Sequence, residues 1–102
     1  MADFITLAKI NDIPDGKMKE FRLAGKVITV AGIDGEYLAF DGICTHEHCS
    51  LAGGFLDGFT LTCYCHGAQF DVTSGQVLGP PATEGLKTYE TKVEGDELKI
   101  KL

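Results

Sequence analysis

The residues with the most chemistry to offer are crowded into one stretch. All four cysteines and all three histidines of the chain fall between Gly42 and Gly67. Two short runs stand out, Cys44-Thr45-His46 and Cys63-Tyr64-Cys65-His66. Read as Cys-x-His and Cys-x-x-His, each run offers one thiolate and one imidazole to a compact site, each from its own loop. Soft thiolate combined with imidazole suits zinc, copper or an iron–sulfur centre. His48, two positions beyond His46, reads as solvent-facing, and Glu47 as a solvated charge. A thiol oxidoreductase built on Cys63-Tyr64-Cys65 or Cys49 would need an activated thiolate, usually at a helix N-terminus, and the pattern starts no helix there. No Ser/His/Asp order, phosphate loop or supported pair of carboxylates is present.

The flanking sequence reads as the scaffold for these loops. Lys17 to Leu23, Lys26 to Ala31 and Glu36 to Phe40 are short strand-like segments, separated by turn signals at Gly25 and at Gly32-Ile33-Asp34-Gly35. Near the C-terminus, Thr88 to Val93 and Glu97 to Leu102 flank a hairpin signal, Glu94-Gly95-Asp96. Leu98, Ile100 and Leu102 alternate with Glu97, Lys99 and Lys101, the period-two pattern of a strand buried on one face. Lys9 to Ile13 reads as a turn or short helix before Pro14-Asp15-Gly16. Tyr64, Phe55, Phe59 and Phe70 read as core or loop-packing aromatics.

The composition agrees with an all-β chain carrying a loop-rich insert. The 102 residues are 44% hydrophobic, with 13 glycines and three prolines, enough for one domain spanning 1–102 and rich in tight turns. A net charge of −6 argues against nucleic acid, whose phosphates require a basic surface, and against anionic membranes. No run approaches the length of a membrane span. Met1-Ala2-Asp3-Phe4 has neither the basic nor the apolar part of a secretory leader, so the expected location is cytoplasmic. There cysteines point to metal binding or reactivity before a disulfide framework. The acidic residues nearest the cysteine loops in sequence are Asp41, Glu47, Asp57 and Asp71. They read as solubilising charge, with a docking role as the lesser alternative.

On the two Cys/His runs, together with Leu51, Leu56 and Gly58 between them and Gly67, Phe70, Asp71, Gly75 and Gly79-Pro80-Pro81 after them, the chain resembles the Rieske-type [2Fe–2S] proteins. The likeness extends to Leu86, Tyr89, Val93 and the Glu94-Gly95-Asp96 turn, as in small Rieske ferredoxins. It implies antiparallel sheets with a cluster-binding subdomain inserted from about 41 to 81 of this sequence. It implies one [2Fe–2S] cluster, with Cys44 and Cys63 on the first iron and His46 and His66 on the second. Two ferric ions, two sulfides and two thiolates sum to a neutral core, which accepts an electron more readily than an all-cysteine dianion. Structural zinc on the same loops is the rival site reading.

The same resemblance implies a disulfide between Cys49 and Cys65, the pair that joins the two cluster loops in high-potential respiratory and photosynthetic members. High-potential members also follow the second His-Gly with a serine and, two positions on, a tyrosine, both donating toward cluster sulfurs. Ala68 and Phe70 occupy those positions here, and neither side chain has a donor. The expected midpoint therefore lies in the lower part of the Rieske span of about −150 to +300 mV. The implied role is a monomeric one-electron carrier, not an enzyme, taking electrons from a reductase and passing them to an oxygenase or other redox enzyme. A Rieske subunit or fragment of a larger respiratory-type oxidoreductase is the alternative.

Overall fold

The computed structural model describes residues 4–43, 49–65, 67–79 and 85–101. Ten strands and two single-turn 3-10 helices follow one another among them. The strands are β1 (Phe4–Lys9), β2 (Met18–Leu23), β3 (Lys26–Ile33), β4 (Glu36–Asp41), β5 (Phe55–Asp57), β6 (Thr60–Thr62), β7 (Gln69–Asp71), β8 (Val77–Gly79), β9 (Thr88–Glu94) and β10 (Glu97–Lys101), and the 3-10 turns are Ile10–Asp12 and Leu51–Gly53. A six-stranded sheet runs in the order β1-β10-β9-β4-β3-β2, and a four-stranded sheet in the order β5-β6-β7-β8. Every strand pairing in the two sheets is antiparallel. Among the described residues, no helix is long and apolar enough to cross a membrane.

The hairpin turns follow local chemistry. Ala24-Gly25 and Asp34-Gly35 both take positive φ at each position (52° and 78°; 51° and 81°). That is the type I′ geometry, whose twist matches the flanking strands. The second turn is tighter than its sequence signal. Gly32 and Ile33 belong to β3, which pairs with β4 through Gly32↔Tyr37 and Ile33↔Glu36. Gly32 is closely packed against the segment before β2. Its amide donates to the Lys17 carbonyl at 3.0 Å and its carbonyl accepts from Gly16 at 2.6 Å. A Cβ there would stand 3.2 Å from the Pro14 carbonyl oxygen.

Two apolar clusters share one wall. Ile28 and Val30 of β3 and Ala39 of β4 pack with Ile13, Tyr89, Leu98 and Ile100. Ala31 and Ile33 of β3 and Phe40 of β4 pack on the opposite side with Leu51, Leu61, Cys63, Ala68, Phe70, Val72 and Leu86. Successive side chains of a strand point to opposite faces, so a strand covered on both must be apolar nearly throughout, as Val27 to Ile33 is. The second cluster joins the four-stranded sheet to the six-stranded one. Burial of side chains such as Phe40, Phe70, Leu51 and Leu61 at this seam contributes about 1.5–3 kcal/mol each.

Candidate metal centre

The first cysteine loop leaves the end of β4. The Gly42 amide donates to the Val27 carbonyl at 2.9 Å, and its own carbonyl accepts from the Leu51 amide at 2.8 Å. Ile43 and Ser50 form an antiparallel bridge, so the chain leaves and re-enters the sheet at one point. The Ser50 hydroxyl donates to the Glu20 carboxylate on β2 at 2.6 Å. Leu51, fully buried, begins the 3-10 turn that follows. Gly54 ends it, and a Cβ at that position would overlap the Thr62 carbonyl oxygen.

The second loop joins β6 to β7. The Cys63 amide donates to the Ala68 carbonyl at 2.8 Å, and the Gly67 amide to the Cys63 carbonyl at 3.0 Å. Gly67 holds φ at +76°, which L side chains rarely adopt. Cys63 is 1% exposed, whereas Tyr64 beside it is half exposed, its ring lying over Gly53. Phe55 and Phe59 are exposed as well, so of the four aromatics read as core or loop-packing, Phe70 alone is fully buried.

Cys49 and Cys65 are joined in a disulfide between the two loops, with Cα atoms 6.6 Å apart. The sulfurs of Cys49, Cys63 and Cys65 lie within 4.8 Å of one another. A disulfide sulfur has no thiolate to give a metal, so of these three only Cys63 suits a ligand role. The other expected ligands, Cys44, His46 and His66, lie outside the described residues, as do Glu47 and His48. Ala68 and Phe70 are buried in the seam behind the second loop.

Two polar contacts near the site carried no signal in the sequence. The Tyr89 hydroxyl donates to the Asp41 carboxylate at 2.5 Å across β9 and β4. Burial, reinforced by that carboxylate, pushes the Tyr89 pKa well above its ordinary value. The second is the Ser50–Glu20 bond, whose partners are 30 residues apart. Asp71 is also spoken for. Its side chain accepts from the Thr73 hydroxyl at 2.5 Å and the Thr73 amide at 2.9 Å, which holds its carboxyl below the usual carboxylate range. Beyond it, a Cβ on Gly75 would overlap the Leu86 carbonyl oxygen, and the Leu86 amide donates to the Gly75 carbonyl at 2.7 Å. That clasp fixes where the chain returns toward β9.

Residues 3–90 match the family model of the Rieske [2Fe–2S] domain. The chain belongs to that family. Among its curated relatives is the ferredoxin component of the naphthalene 1,2-dioxygenase/salicylate 5-hydroxylase systems of a Ralstonia species, 35% identical over 100 residues that span 98% of this chain and 96% of the relative. Among solved structures, Sphingomonas yanoikuyae B1 ferredoxin superposes with a TM-score of 0.91 at 27% identity, over 98% of this chain and 99% of that one. A chain from the complex of reduced oxygenase and oxidized ferredoxin in carbazole 1,9a-dioxygenase superposes at 0.89, with 26% identity over 96% and 92% of the two chains. The all-β Rieske architecture and the loop-bridging disulfide expected from the resemblance are both present. The Rieske domain implies a [2Fe–2S] cluster as its cofactor.

Proposed function

We propose that this Rieske protein is a one-electron carrier rather than an enzyme, acting as a cytoplasmic monomer between a reductase and an oxygenase. The observation that carries this reading is its nearly end-to-end match to a dioxygenase-system ferredoxin component. The oxygenase–ferredoxin complex of carbazole 1,9a-dioxygenase supports the choice of acceptor.

The donor set suits a [2Fe–2S] cluster. Cys63 places a buried sulfur beside the disulfide, and that disulfide draws together the two loops to which Cys44, His46 and His66 belong in sequence. On this reading Cys44 and Cys63 hold one iron and His46 and His66 the other, the loops forming a cluster-binding unit of about residues 41–81. Bound there, the cluster supplies one-electron redox chemistry at a potential raised by its two imidazole ligands. The protein's own part is to hold the ligands and to keep water from the sulfur side. Leu51, Leu61 and Phe70 pack there with Cys63. The side chains of Ala68 and Phe70 have no donor to offer the reduced centre, which keeps its potential low for the family.

The disulfide favours a second reading, a Rieske subunit of a larger respiratory-type oxidoreductase, because high-potential members of that kind carry the pair. Visible and EPR spectra of the holoprotein, with voltammetry, decide between them and test the ligand set. The carrier reading expects a red-brown protein, an average g below that of all-cysteine clusters and a midpoint in the lower part of the Rieske span. A colourless protein refutes it, and a midpoint above about +200 mV favours the respiratory alternative. A native spectrum retained in His66→Cys refutes the ligand set.

A further inference from the structure

A cleft of about 420 Å³ opens at the end of the six-stranded sheet from which the first cysteine loop departs. Its walls include Lys26, Asp41, Ile43, Lys87 and Tyr89. The register explains the grouping. Ile28 faces Asp41 across β3 and β4, and the Gly42 amide bonds to Val27, so Lys26 comes alongside Ile43. On the other flank the Asp41 amide donates to the Lys87 carbonyl. Ile43 immediately precedes Cys44, a proposed iron ligand, in sequence, so the cleft lies where the first cysteine loop departs.

The charge in the cleft opposes that of the whole protein. The Lys26 and Lys87 ammonium groups lie 5.8 and 5.3 Å from the centroid of the one Tyr89 ring. That ring is pinned by its hydroxyl to Asp41. The ion pairs of the described residues engage Lys9, Lys92, Lys99 and Lys101, not these two lysines. Among the described residues that line the cleft, two lysines against one aspartate leave a single positive charge, on a chain whose net charge is −6. Cation–π contact holds an ammonium in place without neutralising it, so both remain able to meet an anion.

We propose that this cleft docks an acidic surface of a redox-partner protein, with a partner carboxylate received between Lys26 and Lys87. The inference rests on the electron-carrier reading. Both lysines are exposed, and the cleft is a surface feature, which suits a reversible contact between proteins governed by salt and on-rate. A local positive patch on an acidic carrier also orients it. The negative charge of the rest of the chain disfavours an acidic partner away from the cleft.

The test compares wild-type holoprotein with Lys26→Gln/Lys87→Gln and with Lys92→Gln/Lys99→Gln. The two variants make the same change in net charge, the second at the β9–β10 hairpin. Binding of a deca-glutamate peptide is measured by calorimetry at an ionic strength of about 0.15 M, where screening within about 8 Å leaves the cleft's own charge to be read, and reduction of ferric cytochrome b5, an acidic haem protein, by stopped flow from dithionite-reduced samples. The expected result is an about three- to tenfold loss in both readouts for the cleft variant, with a flatter salt dependence, and a smaller loss for the hairpin variant. Visible spectrum and midpoint should be unchanged in both. Equal losses in the two variants would show a net-charge effect and overturn the proposal. Peptide binding lost from the cleft variant with cytochrome reduction unaffected would overturn docking as well. A wild-type protein with no reducible cluster overturns the carrier reading and the docking with it. An unchanged midpoint with no effect of Lys26 and Lys87 overturns the docking alone.

Discussion

Opening the Cys49–Cys65 disulfide perturbs the two loops without touching a proposed ligand, and its cost follows from chain geometry. The bond closes a loop with a sequence separation of 16. Tethering a denatured chain over that length removes about 10 cal/mol/K of entropy, or about 3 kcal/mol at 25 °C. At about 2.1 cal/mol/K per residue, the 102 residues carry an unfolding entropy near 210 cal/mol/K. Cys49→Ala/Cys65→Ala should therefore melt about 14 °C below wild type. Both cysteines are half-buried against the seam cluster, so the lost sulfurs add a packing cost in the alanine variant. Reduction of the wild type with dithiothreitol isolates the cross-link, because the sulfur atoms remain. Melting of cluster-free protein by circular dichroism, with urea titrations alongside, reads both effects. The urea m-value should rise when the bond is opened, since the freed denatured chain exposes more surface. A fall in Tm below about 4 °C, or less than about 1 kcal/mol, refutes the estimate. A full loss with no change in m places the stabilisation in the native state instead.

Three other outcomes follow from named contacts. Gly75→Ala should cost more than about 2 kcal/mol by urea titration, because φ is +79° and the Cβ overlaps the Leu86 carbonyl. Gly35→Ala has a similar φ but open space, and should cost only about 1 kcal/mol. Ala68→Ser and Phe70→Tyr restore the donors missing beside the proposed cluster, so each should raise the voltammetric midpoint; a variant that loads its cluster at an unchanged midpoint refutes the hydrogen-bond argument. Tyr89→Phe should lose about 1 kcal/mol with the Asp41 bond. Because the folded pKa of Tyr89 is raised, its contribution is complete below the free-tyrosine pKa near 10 and is lost as pH climbs toward the folded value. Melting curves across alkaline pH should fall more steeply for wild type than for the variant.

The sequence disclosed those parts of the fold whose physics is local and repeated. Strands β2, β3, β4, β9 and β10 all stand where alternation and turn residues place them, to within a residue or two at most ends. Strands β5 to β8 escaped because each has three residues, too few for period two to show. β1 escaped for another reason. It is an edge strand with a register shift between Thr6 and Ala8, and an irregular, half-exposed edge carries little alternation. Ile10–Asp12 is the short helical turn expected before Pro14. The cysteine pairing was legible only through resemblance, since spacing does not choose partners. Tyr89–Asp41 and Ser50–Glu20 left no trace, because ordinary polar residues 48 and 30 positions apart acquire meaning only when the sheets close.

The shared wall formed by β3 and β4 bears on how the molecule can change. Val30 and Ala31 are neighbours in sequence and serve different interiors. A substitution that shifts Val30 displaces the backbone of Ala31, and so reaches the sulfur-bearing loops through Leu51 and Phe70. The half that carries the cysteines accordingly has no back wall of its own. A transplant of residues 41–79 into another sheet would have to bring β3 and β4 along, or find a host strand able to present small and bulky apolar groups in the same alternation.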